Sequence, residues 1–122
     1  MEHALLTSFL EGRTPPAIFA RAIEQEVSAC ETGLRSPAKV GYILITDGPQ
    51  FIITREHMKR LLHCLLDETI PWLSVNYTGD CMMMSSDFEP ADDVVEQAID
   101  FVADDSRLPT GEETRAALDA LG

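Results

Sequence analysis

Apolar side chains recur at helical spacing along most of this chain. Near its start, Leu5, Leu6 and Phe9 fall on one side of a short helix that Gly12 ends. Similar stripes recur farther along, each opened by a proline or a threonine that suits a helix start. The spacing predicts helices over residues 2–12, 15–33, 54–70, 90–104 and 110–121.

Two runs of β-branched and aromatic residues interrupt the helical pattern in the middle of the chain. Residues 40–46 and 51–53 have the composition of strands, and an Asp-Gly dipeptide lies between them. We therefore expect a β-hairpin near residues 40–53. Pro49 indicates that the second strand is short or lies at a sheet edge, because proline cannot donate a ladder hydrogen bond.

Residues 72–84 fit two patterns. Leu73, Val75 and Tyr77 alternate with polar residues as in a strand, whereas Tyr77 and Cys81 share one face of a helix. The run is longer than a typical strand, so we expect a helix. Together these elements predict a mostly helical α+β fold with about five helices and one hairpin.

Composition narrows the class of protein. The chain has 122 residues, of which 45% are hydrophobic, and this favours a single globular domain spanning residues 1–122. Neither a membrane-spanning run nor a signal peptide is evident, so we expect a cytoplasmic protein. Its three cysteines have no metal-binding spacing and are expected to be reduced, and no cofactor is predicted.

Negative charge is concentrated toward the C-terminus. The net charge is -12, and residues 80–122 hold twelve acidic side chains but only two arginines. Such an excess repels nucleic acid and anionic membranes and favours cationic partners. Nucleic-acid binding is excluded as a main role, because contacts to phosphates need lysine and arginine.

The acidic residues form a stripe on the predicted helix 90–104. Like charges one turn apart destabilise a helix by about 0.2–0.5 kcal/mol per pair. No lysine or arginine lies between residues 80 and 106 to relieve this repulsion. We interpret the stripe as a docking face for a basic protein, although a merely solvated face would have the same pattern. The expected partner-binding residues are Asp92, Asp93, Glu96, Asp100, Asp104, Tyr77 and Asp80.

The sequence supports a catalytic site or a metal site less well than it supports the acidic docking face. The segment 87–92 lacks the glycine and the terminal glutamate of a calcium loop. His63 and Cys64 are adjacent on a helix and point about 100° apart, so they cannot form a nucleophile–base pair. His57 lies two helical turns before Cys64, too far for a hydrogen bond. No metal site is predicted, and we do not expect an enzyme.

Two segments resemble small bacterial toxin-immunity proteins of the colicin D immunity kind. The run from Phe9-Leu10-Glu11-Gly12 to Phe19 is similar to the F-L-x-G-x-x-x-x-x-x-F opening of several such families. The part from Asp92 through Val102 to Leu121 resembles their closing arrangement of an acidic helix, a short loop, T-x-E and a helix. The resemblance covers about a third of the chain and implies a helix-rich cytosolic protein that blocks a basic toxin.

These observations lead to one preferred function and two alternatives. The preferred function is an acidic inhibitor of the immunity type, which neutralises a basic partner such as a toxin by occlusion. Its carboxylates would take the place of the phosphates that the toxin binds, and an apolar anchor near Tyr77 would hold the complex. The first alternative is a regulatory or adaptor domain without catalytic activity. The second is a small enzyme of unfamiliar type that uses His57 or Cys64.

Overall fold

The computed structural model describes residues 1–35 and 43–122. Within these ranges the chain forms six helices and two short strands, which confirms the mostly helical α+β fold. The elements are α1 (His3–Leu10), α2 (Pro16–Arg35), β1 (Phe51–Ile53), α3 (Arg55–Leu66), α4 (Trp72–Met84), β2 (Phe88–Pro90), α5 (Asp93–Ala103) and α6 (Gly111–Leu121).

All of these elements contribute buried side chains to one hydrophobic core. The apolar stripes that predicted the helices face inward, and the rings of Phe9 and Phe19 stack with their centroids 4.3 Å apart. Burial of such side chains is the main force that holds short helices together. Among the described helices, none has the length and apolar character needed to cross a membrane.

The two strands pair in parallel, so the predicted hairpin is wrong in its pairing. Phe51 lies opposite Phe88 and Ile53 opposite Pro90, far apart in the sequence. Of the predicted first strand, residues 40–42 lie outside the described residues and 43–46 form no strand. That segment bonds to the start of the chain instead: the N–H of Thr46 donates to the carbonyl of Met1 at 3.0 Å.

Pro90 ends β2 and does not open a helix, contrary to the sequence-based expectation. The N–H of Phe51 donates to the carbonyl of Asp87, and the N–H of Ala91 donates to the carbonyl of Ile53. In a parallel pair, only every second residue of a strand hydrogen-bonds to the neighbouring strand, and the backbone groups of the residues between them point away from it. Pro90 is one of these residues, so its nitrogen points away from β1. Proline at that position breaks no ladder bond and blocks the outer edge of the sheet against further strands.

Residues 72–84 form a helix, as predicted, and two of its polar side chains hydrogen-bond to backbone carbonyls. The Thr78 hydroxyl donates to the Ser74 carbonyl at 2.7 Å, four residues earlier. Asn76 donates through Nδ2 to the carbonyl of Val102 at 3.0 Å, which ties α4 to the end of α5. Gly79 lies where α4 packs tightly against the end of α5: a Cβ there would come within 2.7 Å of Val102 Cγ2.

Side-chain caps fix the starts of α3 and α6. Thr54 caps α3, as predicted, in a capping box with His57. Thr110 and Glu113 form a capping box at the start of α6, with Glu113 accepting from the N–H of Thr110 at 2.9 Å. These boxes satisfy helix N–H groups that have no partner within the helix.

Candidate functional site: an acidic groove beside helix α5

The predicted acidic stripe is shorter in the structure than in the sequence. Asp93, Glu96 and Asp100 lie on α5 with exposed side chains. None of the three forms an ion pair or a side-chain hydrogen bond with another described residue. Three carboxylates on this helix therefore remain available to bind a partner.

Asp92 caps α5, and its carboxylate is engaged although the side chain is exposed. Its Oδ1 accepts from the N–H of Val95 at 2.9 Å, and its Oδ2 accepts from Nε of Arg55 at 3.0 Å. The Val95 N–H, followed by the Arg55 guanidinium, lowers the pKa of this carboxyl group. Arg55 lies on α3, 37 residues before Asp92, so local spacing in the sequence does not reveal this cation.

Asp104 is committed to the other end of α5. Its Oδ1 accepts from the N–H of Ser106 at 2.9 Å and folds the chain as it leaves the helix. Hydrogen bonds from Ser106, the backbone N–H first, lower the pKa of this carboxyl group. Asp92 and Asp104 therefore have local structural roles at the two helix ends.

Two of the remaining carboxylates lie beside a small apolar groove. Glu96 and Asp100 line a cavity of about 190 Å³ whose other walls come from β1, α4, β2 and α5 itself. Met83 lies in the same wall with 56% of its surface exposed. The apolar lining residues are Ile53, Met82, Met83, Phe88, Pro90 and Ile99. We call this feature the acidic groove.

The sequence could not predict this groove, because its walls come from four separate elements. Met82, Met83 and Met84 are consecutive, and three successive helix positions cannot all face one core. Met82 is buried, whereas Met83 and Met84 are exposed. A flexible thioether beside carboxylates can adapt its shape to a partner surface.

Tyr77 and Asp80 lie away from the acidic groove. The Tyr77 ring is only 4% exposed, and its hydroxyl donates to Oε2 of Glu26 at 3.3 Å. Burial is the main cause that raises the pKa of the Tyr77 phenol. A ring packed in this way is part of the core and cannot anchor a partner. Asp80 and Tyr77 instead line a separate cavity between α2 and α4.

The two residues considered for catalysis are His57, which belongs to a helix cap, and Cys64, which is buried. His57 accepts through Nδ1 from the N–H of Thr54 at 3.0 Å, as part of the α3 cap. Its pKa is lowered, first by burial. Burial also raises the pKa of the Cys64 thiol, which keeps it protonated and weakly nucleophilic. In the described ranges, no group of three His, Cys, Asp or Glu side chains is placed to hold a metal ion.

Comparison with known protein families, with curated proteins and with solved structures finds no match to this chain. The resemblance to toxin-immunity proteins therefore stays a prediction from two short segments.

Proposed function

We propose that this protein binds a basic protein partner through the acidic groove. The observation that carries the proposal is the position of Glu96 and Asp100, two carboxylates without ion pairs, beside an apolar groove. A lysine or arginine side chain matches this chemistry, because its aliphatic stem can contact the groove walls while its charged end meets the carboxylates. Asp93 extends the negative charge along the same helix.

The proposed mechanism is occlusion of the partner's own binding surface. Glu96 and Asp100 are one helical turn apart, a rise of about 6 Å. Carboxylates repeated along a helix present fixed negative charges to a surface that evolved to bind phosphates. With Tyr77 buried, we assign the apolar anchor to the exposed methionines Met83 and Met84. An immunity-type inhibitor of a cytoplasmic toxin would act in this way.

Net charge supports the association step of this function. A net charge of -12 attracts a cationic protein over a distance of about one Debye length, ~10 Å at 0.1 M salt. Such steering raises the association rate and depends steeply on ionic strength. The apolar contacts of the groove would instead slow dissociation, which depends less on salt.

The test neutralises the three carboxylates together, as Asp93→Asn, Glu96→Gln and Asp100→Asn. The probe is a short peptide that alternates lysine and leucine, and binding is followed by surface plasmon resonance at low and high salt. We expect the association rate at low salt to fall about tenfold and its salt dependence to flatten. A peptide that alternates lysine and serine should bind more weakly to the wild type, because it cannot use the apolar walls.

A matched control removes the same charge from other exposed positions. Glu24→Gln, Asp47→Asn and Asp67→Asn change three exposed carboxylates outside the groove. If the control triple slows association as much as the groove triple, only bulk charge matters and the docking proposal fails. Affinity capture with both triple variants as baits then identifies partners that need the groove carboxylates.

A regulatory or adaptor domain is the second candidate function. The exposed Met83 and Met84 favour it, because methionine-rich surfaces bind varied partners through apolar contacts. An adaptor of this kind would bind its partner with little salt dependence. Measurement of the captured complex at low and high salt therefore separates the two candidates.

A further inference from the structure

A second apolar concavity, separate from the acidic groove, lies between α2 and α4. It has a volume of about 330 Å³, which is within the range of small-ligand sites. Val27, Ile43 and Leu73 provide apolar walls. Asp80 and Asp105 provide carboxylates on one side.

Asp80 is the key polar group of this cavity. It makes no ion pair or hydrogen bond with any described residue, although it is half-buried. Asn76 also lines the cavity, and because its Nδ2 donates to the Val102 carbonyl, its amide oxygen is the side-chain atom that can accept a further hydrogen bond. A carboxylate and an amide oxygen beside apolar walls match a hydrogen-bond donor with positive charge and an aliphatic body.

We propose that this cavity binds a primary ammonium group carried on an aliphatic chain. The ammonium donates to Asp80 and to the amide oxygen of Asn76, while the aliphatic chain contacts Val27, Ile43 and Leu73. The site is separate from the acidic groove and does not depend on the proposed function. A free alkylamine and a lysine side chain share this chemistry.

Binding should weaken in acid because of Asp80. Burial and then the neighbouring Asp105 raise the pKa of the Asp80 carboxyl group to about 6. The other titratable groups at the cavity are Cys30 and Glu31 of α2 and Tyr77 of α4; Glu31 is engaged in a further contact. An alkylammonium ion stays charged throughout this range, so the loss of binding follows protonation of Asp80.

The experiment titrates the whole chain with n-pentylamine, followed by amide chemical shifts in two-dimensional NMR. We expect shifts at cavity residues and affinity about tenfold weaker at about pH 5 than at about pH 7.5. Capped lysine (N-acetyl-lysine methylamide) is the second ligand. Tighter binding of n-pentylamine supports a free amine as ligand, and tighter binding of capped lysine supports a lysine side chain.

Four comparisons make the outcome decisive. Asp80→Asn should weaken the binding of n-pentylamine at least tenfold. The variant should still fold, because the substitution removes a destabilised carboxylate. Asp47→Asn removes an exposed charge elsewhere and should leave the affinity for n-pentylamine unchanged. The uncharged n-pentanol should bind at least tenfold more weakly. The groove variant Asp93→Asn/Glu96→Gln/Asp100→Asn should keep amine binding. The proposal is overturned if neither amine shifts the cavity residues, or if n-pentanol or Asp80→Asn gives undiminished affinity.

Discussion

His57 is the partner of Thr54 in the capping box of α3, and the strength of this box should depend on pH. Its Nδ1 must be unprotonated to accept from the N–H of Thr54, and the Thr54 hydroxyl accepts from the N–H of His57 at 3.3 Å. Burial is the first cause that lowers its pKa below the ordinary 6.5. The folded chain therefore binds fewer protons than the unfolded chain just below this value. Stability from His57 is complete above pH 6.5 and is lost as the pH falls through the folded-state pKa.

We predict that His57→Gln flattens this pH dependence, because glutamine at the same position completes a capping box without titrating. His57→Ala should lose the cap and cost about 1 kcal/mol of unfolding free energy at about pH 8. Urea unfolding at about pH 8 and about pH 5 measures both effects. The comparison uses the change in unfolding free energy between the two pH values and not the absolute free energies, because the wild-type His57 ring also stacks on Phe51. An unchanged slope in His57→Gln would exclude His57 as the source.

At the scale of elements, the contact between α4 and α5 depends on Gly79. We predict that Gly79→Ala destabilises the fold by about 1–2 kcal/mol. Overpacking against backbone as well as side chain should cost about 2–3 kcal/mol, the upper part of its usual range, and the better helix propensity of alanine offsets about 1 kcal/mol of this cost. The added Cβ would meet Val102 Cγ2 at 2.7 Å and the backbone nitrogen of Ala103 at 3.0 Å. Thermal and urea unfolding measure the change.

Gly111→Ala is the matched control, because a Cβ there would have its nearest neighbour at 3.6 Å. Gly111 is the first residue of α6, so alanine should leave stability unchanged or slightly raise it. Adding Val102→Ala to Gly79→Ala should recover part of the loss in a double-mutant cycle. Equal effects of Gly79→Ala and Gly111→Ala would show that packing against α5 is not responsible.

The helices could be predicted from sequence because each follows local rules. Apolar spacing and the caps Thr54 and Thr110 depend on residues a few positions apart, so a linear pattern contains them. The pairing of Phe51 with Phe88 is different, since it joins segments separated by two helices. An Asp-Gly turn favours a hairpin locally, but the strand Phe51–Ile53 found its partner through the tertiary packing of α3 and α4.

The candidate site likewise has some features that the local sequence predicts and others that depend on tertiary contacts. The exposed Asp93, Glu96 and Asp100 follow from the apolar stripe on the opposite side of α5, and sequence spacing predicted them. The groove beside Glu96 and the commitment of Asp92 to Arg55 depend on contacts between distant elements. Sequence periodicity gives the direction of a side chain on its own helix but does not give what another element places beside it.

For the whole molecule, the excess of carboxylates should make stability depend on salt. The exposed ion pairs, such as Arg55–Asp92 at 3.0 Å and Lys59–Glu56 at 3.1 Å, contribute little each. Repulsion within a chain of net charge -12 opposes the compact state and weakens as salt screens it. We therefore expect the repulsion among the carboxylates to outweigh the stabilisation that the exposed ion pairs provide.

We predict that the midpoint of thermal unfolding rises by a few degrees when sodium chloride increases from about 0.02 M to about 0.5 M, where the Debye length is about 4 Å. The variant Asp93→Asn/Glu96→Gln/Asp100→Asn should be more stable at low salt and respond less to added salt, because Glu96 and Asp100 repel each other across one turn. Differential scanning calorimetry measures both. A midpoint that falls with salt would mean that ion pairs dominate. If this variant is more stable at low salt and binds basic peptides more slowly, and the control Glu24→Gln/Asp47→Asn/Asp67→Asn does not bind them more slowly, the stability cost of this face is tied to binding. A merely solvated face predicts equal slowing in both variants.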